Sequence, residues 1–266
     1  MAPSIPAIPA KALIGMVHVG ALPGSPRSTK SVDALADQAA AEARILAEAG
    51  FDALLVENMH DVPYVPGPHP PETIAAMTRV VQQVREAAPT LALGVQVLAF
   101  GHIEAMAIAY ACGASFIRVE NFTFAHVADE GLMPNAAAGE LLRFRARLGA
   151  HGVRVICDIK KKHAAHAITQ DLSLEESAHA AEFFGADGLI VTGEATGRPA
   201  SHADVEVVRA ATRLPLWVGS GVTPDQVPAL LAHADALVVG SWLKKDGDWR
   251  NPLDPDRCRQ LVKARR

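Results

Sequence analysis

Residues 214–241 read LPLWVGSGVTPDQVPALLAHADALVVGS. An apolar, β-prone run, Leu214–Gly219, ends in Gly219-Ser220-Gly221. Thr223 and Pro224 then offer a cap and a first-turn proline for a short Ala/Leu-rich helix. A second apolar run, Asp235–Gly240, ends in Gly240-Ser241. Neither run alternates polar with apolar residues. Continuous apolar strands are expected where helices cover both faces of a parallel sheet.

The same unit recurs upstream, with runs at Leu13–Val19, Asp52–Asn58, Leu91–Leu98, Ser115–Glu120, Val153–Ile159 and Asp187–Thr192. Ala-rich helical stretches separate them. Asp33–Ala49 carries Leu35, Ala39, Ala43 and Leu46 on one face and stops at Gly50. Glu72–Ala88 starts behind two prolines, and Ile103–Cys112 and Leu174–Phe184 each run into glycine. Eight strands begin 20 to 39 residues apart, room for one crossover helix each. The class is α/β, and the count predicts a closed (β/α)8 TIM barrel, with an open doubly wound sheet as the alternative.

A length of 266 residues would permit two domains at about 150 residues each. No linker or change of composition divides the chain, so 13–266 is read as a single barrel domain. Residues 1–12, rich in proline and without a basic start, are read as a flexible tail and not a signal peptide. Lys and Arg total 25 against 29 Asp and Glu, a formal charge of −4, which argues against nucleic acid as a partner. No apolar run reaches the ~18 residues of a membrane span, although peripheral membrane association stays open. Three cysteines without a CxxC pair indicate a reducing compartment, read as cytoplasmic.

In a parallel barrel the chemistry belongs where strands end and βα loops begin. Glycine exits on the last two strands let an anion approach the backbone closely, beside helix N-termini that supply free N–H groups. Gly219, Ser220, Gly221, Gly240 and Ser241 are therefore candidate phosphate-binding residues. Gly193, Thr196 and Gly197, after the sixth strand, extend the set. No Lys-Ser/Thr follows the glycines, so this is not a Walker A loop.

The fifth strand exits as Asp158-Ile-Lys160-Lys-Lys162-His163. Alternation would send Asp158 and Lys160 the same way, into the mouth. A carboxylate beside an ammonium can shuttle a proton, and a desolvated Lys162 could form a Schiff base. Glu57 and Glu120 each end an apolar strand and precede asparagine. They are candidates for an acid–base pair with Asp158, Lys160 and Lys162, or for holding a divalent cation, though the sequence requires no cofactor. Pairing with Arg118 is the structural alternative. His18 and Asn58, at the first two exits, are candidate substrate contacts. The eleven histidines show no zinc-binding spacing, and no nucleophile elbow occurs.

Ile14-Gly-Met-Val-His18 followed by Gly20-Ala-Leu-Pro-Gly24 resembles the amino-terminal signature of the BtpA/SgcQ family. Val56-Glu57-Asn58 with Asp61-Val-Pro63, Phe116-Ile-Arg118-Val, Lys162-His163-Ala164, Leu189-Ile-Val-Thr192-Gly193 and Val218-Gly-Ser-Gly221-Val match in the same order. So does Val239-Gly-Ser241 with Leu243-Lys244-Lys245-Asp246-Gly247. The resemblance implies a barrel of the ribulose-phosphate-binding type over residues 13 to 247. The family often has histidine where Lys160 stands, and an asparagine-containing exit where this chain reads Gln96-Val-Leu-Ala-Phe100.

Two functions are expected to compete. One is an enzyme acting by acid–base chemistry on a small phosphorylated substrate, a sugar phosphate or nucleotide-like molecule. It would be an isomerase, a lyase or aldolase, or an enzyme cleaving a glycosidic bond. The other, implied by the resemblance, is a non-catalytic assembly factor for a membrane complex such as photosystem I. Ionisable groups at nearly every strand exit favour the enzyme. Trp242 and Trp249 after the last strand are read either as a contact in a homo-oligomer or as a cover over the barrel.

Overall fold

A computed structural model describes residues 6–193, 197 and 199–265. Eight parallel strands close a barrel: β1 (Ala12–His18), β2 (Ala53–Glu57), β3 (Ala92–Gln96), β4 (Phe116–Val119), β7 (Arg154–Ile159), β9 (Gly188–Thr192), β10 (Leu216–Gly219) and β11 (Ala236–Val239). The ring closes where Ala12 to Gly15 pair with Ala236 to Val239. Helices α1 (Val32–Ala49), α2 (Pro71–Ala87), α3 (His102–Ala111), α4 (Ala138–Leu148), α5 (Leu174–Phe183), α6 (His202–Ala211), α7 (Val227–His233) and α8 (Pro255–Ala264) surround it. The eight expected strands are all present, and the open sheet is excluded.

Local signals set the helix ends. Ser31 accepts from the Ala34 N–H at the start of α1, and Gly50 at φ +97° closes it. Ser173 and Glu176 form a capping box on α5, and Asp254 caps α8.

Three strands share a device at the barrel's amino-terminal face. Asp52, Asp187 and Asp235 stand one residue before β2, β9 and β11. Each accepts the backbone N–H of a neighbouring strand, from Leu13, Val155 and Leu216, at 2.8 Å. Each also pairs with an arginine from a helix or its end: Arg265, Arg145 and Arg209. These pins lock the strands' register on the side away from the chemistry.

Alternation fills the barrel. Ile14, Met16, Leu55, Phe116, Ile156, Ile190, Trp217 and Val238 point inward as one cluster, while the other strand faces pack beneath the helices. Phe116 and Trp217 meet edge to face at 5.0 Å across the centre. Gly94 makes room for them, because a Cβ there would lie 2.1 Å from the Phe116 ring.

One layer is absent from the sequence reading. A three-stranded antiparallel sheet, β6 (Gly131–Met133), β5 (His126–Ala128) and β8 (Ala164–Ala165), is built from the loops after β4 and β7. Among the described residues no helix is long and apolar enough to cross a membrane.

Gly94→Ala is expected to destabilise the fold by roughly 2–3 kcal/mol, the cost of overpacking a filled core. Thermal unfolding should show a melting temperature lower by about 5–10 °C. An unchanged melting curve would mean that Phe116 can retreat, and that the barrel centre is looser than described.

Candidate active site

Extending the inward alternation by one step gives the rim of the mouth: His18, Glu57, Gln96, Arg118, Asp158, Thr192, Gly219 and Gly240. One side of this ring is crowded with charge and the other is bare. Arg118, 6% exposed, donates from Nε and Nη2 to both oxygens of Asp158 at 2.8 and 2.9 Å. Bidentate pairing suits the planar guanidinium and fixes its plane. Burial opposes the Arg118 charge, but Asp158, with Glu57 and Glu120, outweighs it and raises the pKa.

Glu57, Gln96, Arg118, Glu120, Lys161 and Lys162 line a cavity of about 200 Å³ in the mouth. Burial raises the Glu57 pKa, against the opposing pull of Lys162 and Arg118. Burial likewise lowers that of Lys162, and Arg118 adds to the shift. Both shifts favour the neutral form, so the acid and the amine have pKa values moved towards each other. Shifts in these opposite directions narrow the gap that a proton must cross between an acid and an amine.

Side chains from the three-stranded sheet and its flanks roof this cavity. Glu130, in the turn between β5 and β6, lies 3.7 Å from Lys161 Nζ, which is also 3.3 Å from Glu120. The Lys161 ammonium sits 4.8 Å from the centre of the Phe100 ring. Trp249 and Tyr64 complete the walls, and Tyr64 donates its hydroxyl to the Met59 carbonyl at 2.7 Å.

Three buried polar atoms of the rim have no hydrogen-bond partner: His18 Nδ1, Gln96 Oε1 and Thr192 Oγ1. Each such atom costs about 1–3 kcal/mol of lost hydration. Three of the nine such side-chain atoms among the described residues lie in this ring, where a ligand could engage them.

On the bare side β10 ends at Gly219, and Ser220 and Gly221 follow with φ of +73° and +62°. A Cβ on Gly219 would meet nothing closer than 3.6 Å, so its own packing does not demand glycine. At Gly240 a Cβ would lie 3.2 Å from the His18 ring. A side chain here would require His18 and Met16 to give by a few tenths of an ångström.

The sequence profile of the BtpA family matches residues 9–266. The chain belongs to the BtpA family. A mitochondrial protein of Caenorhabditis elegans is 42% identical over 255 residues, covering 94% of this chain and 91% of its own. The photosystem I biogenesis protein BtpA of Synechocystis is 35% identical over 255 residues, 95% of this chain and 87% of its own. Among solved structures, (S)-3-O-geranylgeranylglyceryl phosphate synthase from Thermoplasma acidophilum, in complex with sn-glycerol-1-phosphate, superposes with a TM-score of 0.60. It is 16% identical and covers 96% of this chain and 93% of that one. The fold of this BtpA-family chain is thus a TIM barrel, as in that neighbour.

Of the residues singled out in the sequence, Glu57, Glu120 and Lys162 line one cavity, with Asp158 against its Arg118. Lys160 does not join them as alternation predicted. The strand stops at Ile159, Lys160 takes a left-handed φ of +49°, and its Nζ donates to the Leu172 carbonyl at 2.8 Å. That turn swings Lys161 into the mouth instead. Asn58 has its side chain engaged within the protein. Its amide brackets Leu98, accepting from the backbone N–H at 2.6 Å and donating to the carbonyl at 3.0 Å, and it donates to Asp61 at 2.8 Å. Gly193 and Gly197 follow β9, whereas Thr196 lies outside the described residues. Trp249 faces His60 at 5.0 Å, and Trp242 lies 4.3 Å from the Arg257 guanidinium, so both make ring contacts within their own chain. Among the described residues no group of three or more His, Cys, Asp or Glu is set to hold a metal ion.

Because burial raises the Glu57 pKa, the folded chain holds that proton more tightly than the unfolded one. Stability from this group is full below the unfolded value of about 4.3 and falls as pH rises towards the folded value. Glu57→Gln cannot ionise. It is expected to melt with wild type near pH ~4 and above it at neutral pH. A neutral-pH melting temperature below wild type would show that Lys162 and Arg118 outweigh burial.

Proposed function

We propose that this chain is an enzyme that performs acid–base chemistry on a small phosphorylated compound, a sugar phosphate or nucleotide-like molecule. The observation that carries this reading is the two-sided rim. Titratable groups with opposed shifts occupy the β2, β4 and β7 side, and glycines occupy the β10 and β11 side. The phosphate sits on the bare side, against the amides around Gly219, Ser220, Gly221, Gly240 and Ser241, with Gly193 and Gly197 at its edge. Thr192 Oγ1, buried and unpartnered, is positioned to meet the same group. The structural neighbour that carries sn-glycerol-1-phosphate supports this class of ligand.

A phosphate fixed on one wall places the reacting carbon over the other, supplying binding energy remote from the bond that changes. Glu57 and Lys162 move the proton. Arg118 steadies negative charge as it develops on the substrate. Asp158 holds Arg118 in plane, and Glu120 holds Lys161. These parts suit an isomerase, a lyase or aldolase, or the cleavage of a glycosidic bond.

Self-association belongs to the same reading. Phe183 and Phe184 at the end of α5 are 86% and 52% exposed, a large apolar surface for a lone chain. The rival role, an assembly factor docking on a membrane complex, rests on the function in the Synechocystis relative's name.

A panel of sugar phosphates and nucleotides followed by phosphorus NMR tests the enzyme. Gly219→Trp should abolish binding of phosphorylated ligands at the strand-exit site. Glu57→Gln should leave binding intact and reduce turnover by about 10²–10⁴-fold. No turnover in any member of the panel, together with quantitative recovery of the chain on membranes, would favour docking.

A further inference from the structure

A second cavity, of about 360 Å³, lies between the exits of β1, β2 and β11. His60 lines it, Trp249 lines the mouth, and their rings meet at 5.0 Å as a partition. Its floor is buried and polar. Lys244, 1% exposed, donates to Glu42 Oε1 and Oε2 at 2.9 and 2.8 Å. An ammonium has three N–H groups, so one remains beyond this pair. His18, 6% exposed, has no partner at Nδ1. Burial and the nearby Lys244 lower its pKa, which favours the neutral imidazole, and Nδ1 can then serve as an acceptor.

Around this floor stand Arg27, Lys30 and Arg250, the last paired with Asp248 outside the cavity. The lining thus carries four cations against one carboxylate, Glu42. A buried Lys–Glu pair alone would serve to staple α1 to the segment after β11. It would not account for a basic rim and an unpartnered imidazole opening onto the same space.

We propose that this cavity is a second anion subsite, taking a phosphate or carboxylate with a hydroxyl on the neighbouring carbon. Arg27, Lys30 and the third Lys244 N–H hold the anion, and the hydroxyl donates to His18 Nδ1. The inference rests on the reading of the mouth as a site for phosphorylated compounds. It adds a charged group beyond the His60–Trp249 partition, either the far end of the same ligand or a separate small anion.

Equilibrium dialysis with radiolabelled phosphate tests it. Wild type is expected to bind two phosphates per chain, and the Arg27→Ala/Lys30→Ala variant one. Gly219→Trp should also retain one, at the other site. A double variant that still binds two, or a wild type whose single phosphate ignores those substitutions, overturns the second subsite and leaves the strand-exit site standing. Gly219→Trp binding two overturns the strand-exit site and leaves the second subsite standing. Arg143→Ala/Arg147→Ala on α4 should change nothing; a loss there would assign the effect to general surface charge and overturn the proposal. Wild type should prefer glycerol phosphate to inorganic phosphate at this site by about tenfold, the value of one good hydrogen bond. His18→Phe should erase that preference, and its survival overturns the hydroxyl contact. Fructose bisphosphate separates the two sources: displacing both phosphates as one molecule makes the cavity the far end of a single ligand, and displacing one assigns it a separate anion.

Discussion

Arg118 and Asp158 meet through two hydrogen bonds under the mouth, both almost fully shielded from water. Charges in such a place lose their hydration, and only close, well-aligned pairing makes up the loss. Removing either partner would strand the other, and the pair ties β4 to β7 beside the backbone ladder. The rest of the charged wall is arranged around it. Glu57 and Lys162 feel the guanidinium directly, and Glu120 binds the lysine that carries the roof. The local field of the site is therefore set by one interaction between neighbouring strands.

The amino-terminal face of the barrel solves a different problem with similar residues. Its aspartates accept strand N–H groups and pair with arginines at the periphery, where both ends of each pair keep contact with solvent. Those contacts satisfy every partner. The opposite rim leaves Gln96, Thr192 and His18 each with an idle atom. Such division of labour between a stabilising end and a reactive end is the general habit of these barrels.

The barrel was legible because its signals are local and repeated. Apolar strands recur along the chain, and a side-chain cap or a glycine stop marks α1, α4, α5 and α8. The rim was legible as far as alternation holds, which placed Glu57, Arg118 and Asp158 correctly. It failed at Lys160, where one left-handed residue reversed the direction of the next side chain and exchanged Lys160 for Lys161. The bracket that Asn58 makes on Leu98 could not be foreseen, because the two are 40 residues apart. The Glu42–Lys244 pair spans 202 residues and lay beyond any local pattern. The small sheet was illegible for a plainer reason. Its strands are two or three residues long, and Ala164-Ala165 carries no β preference of its own.

That small sheet joins two loops that are far apart in the chain. Val127 and Ala128 pair with Ala165 and Ala164, while Glu130 from one loop and Lys161 from the other meet over the cavity. The loop after β4 pairs β5 with β6 inside itself, whereas β8 in the other loop has β5 as its partner strand. The two therefore behave as one cassette. Transplanting either alone onto another barrel would deliver a loose flap, whereas moving both together would carry the roof, its charges and the shape of the entrance intact.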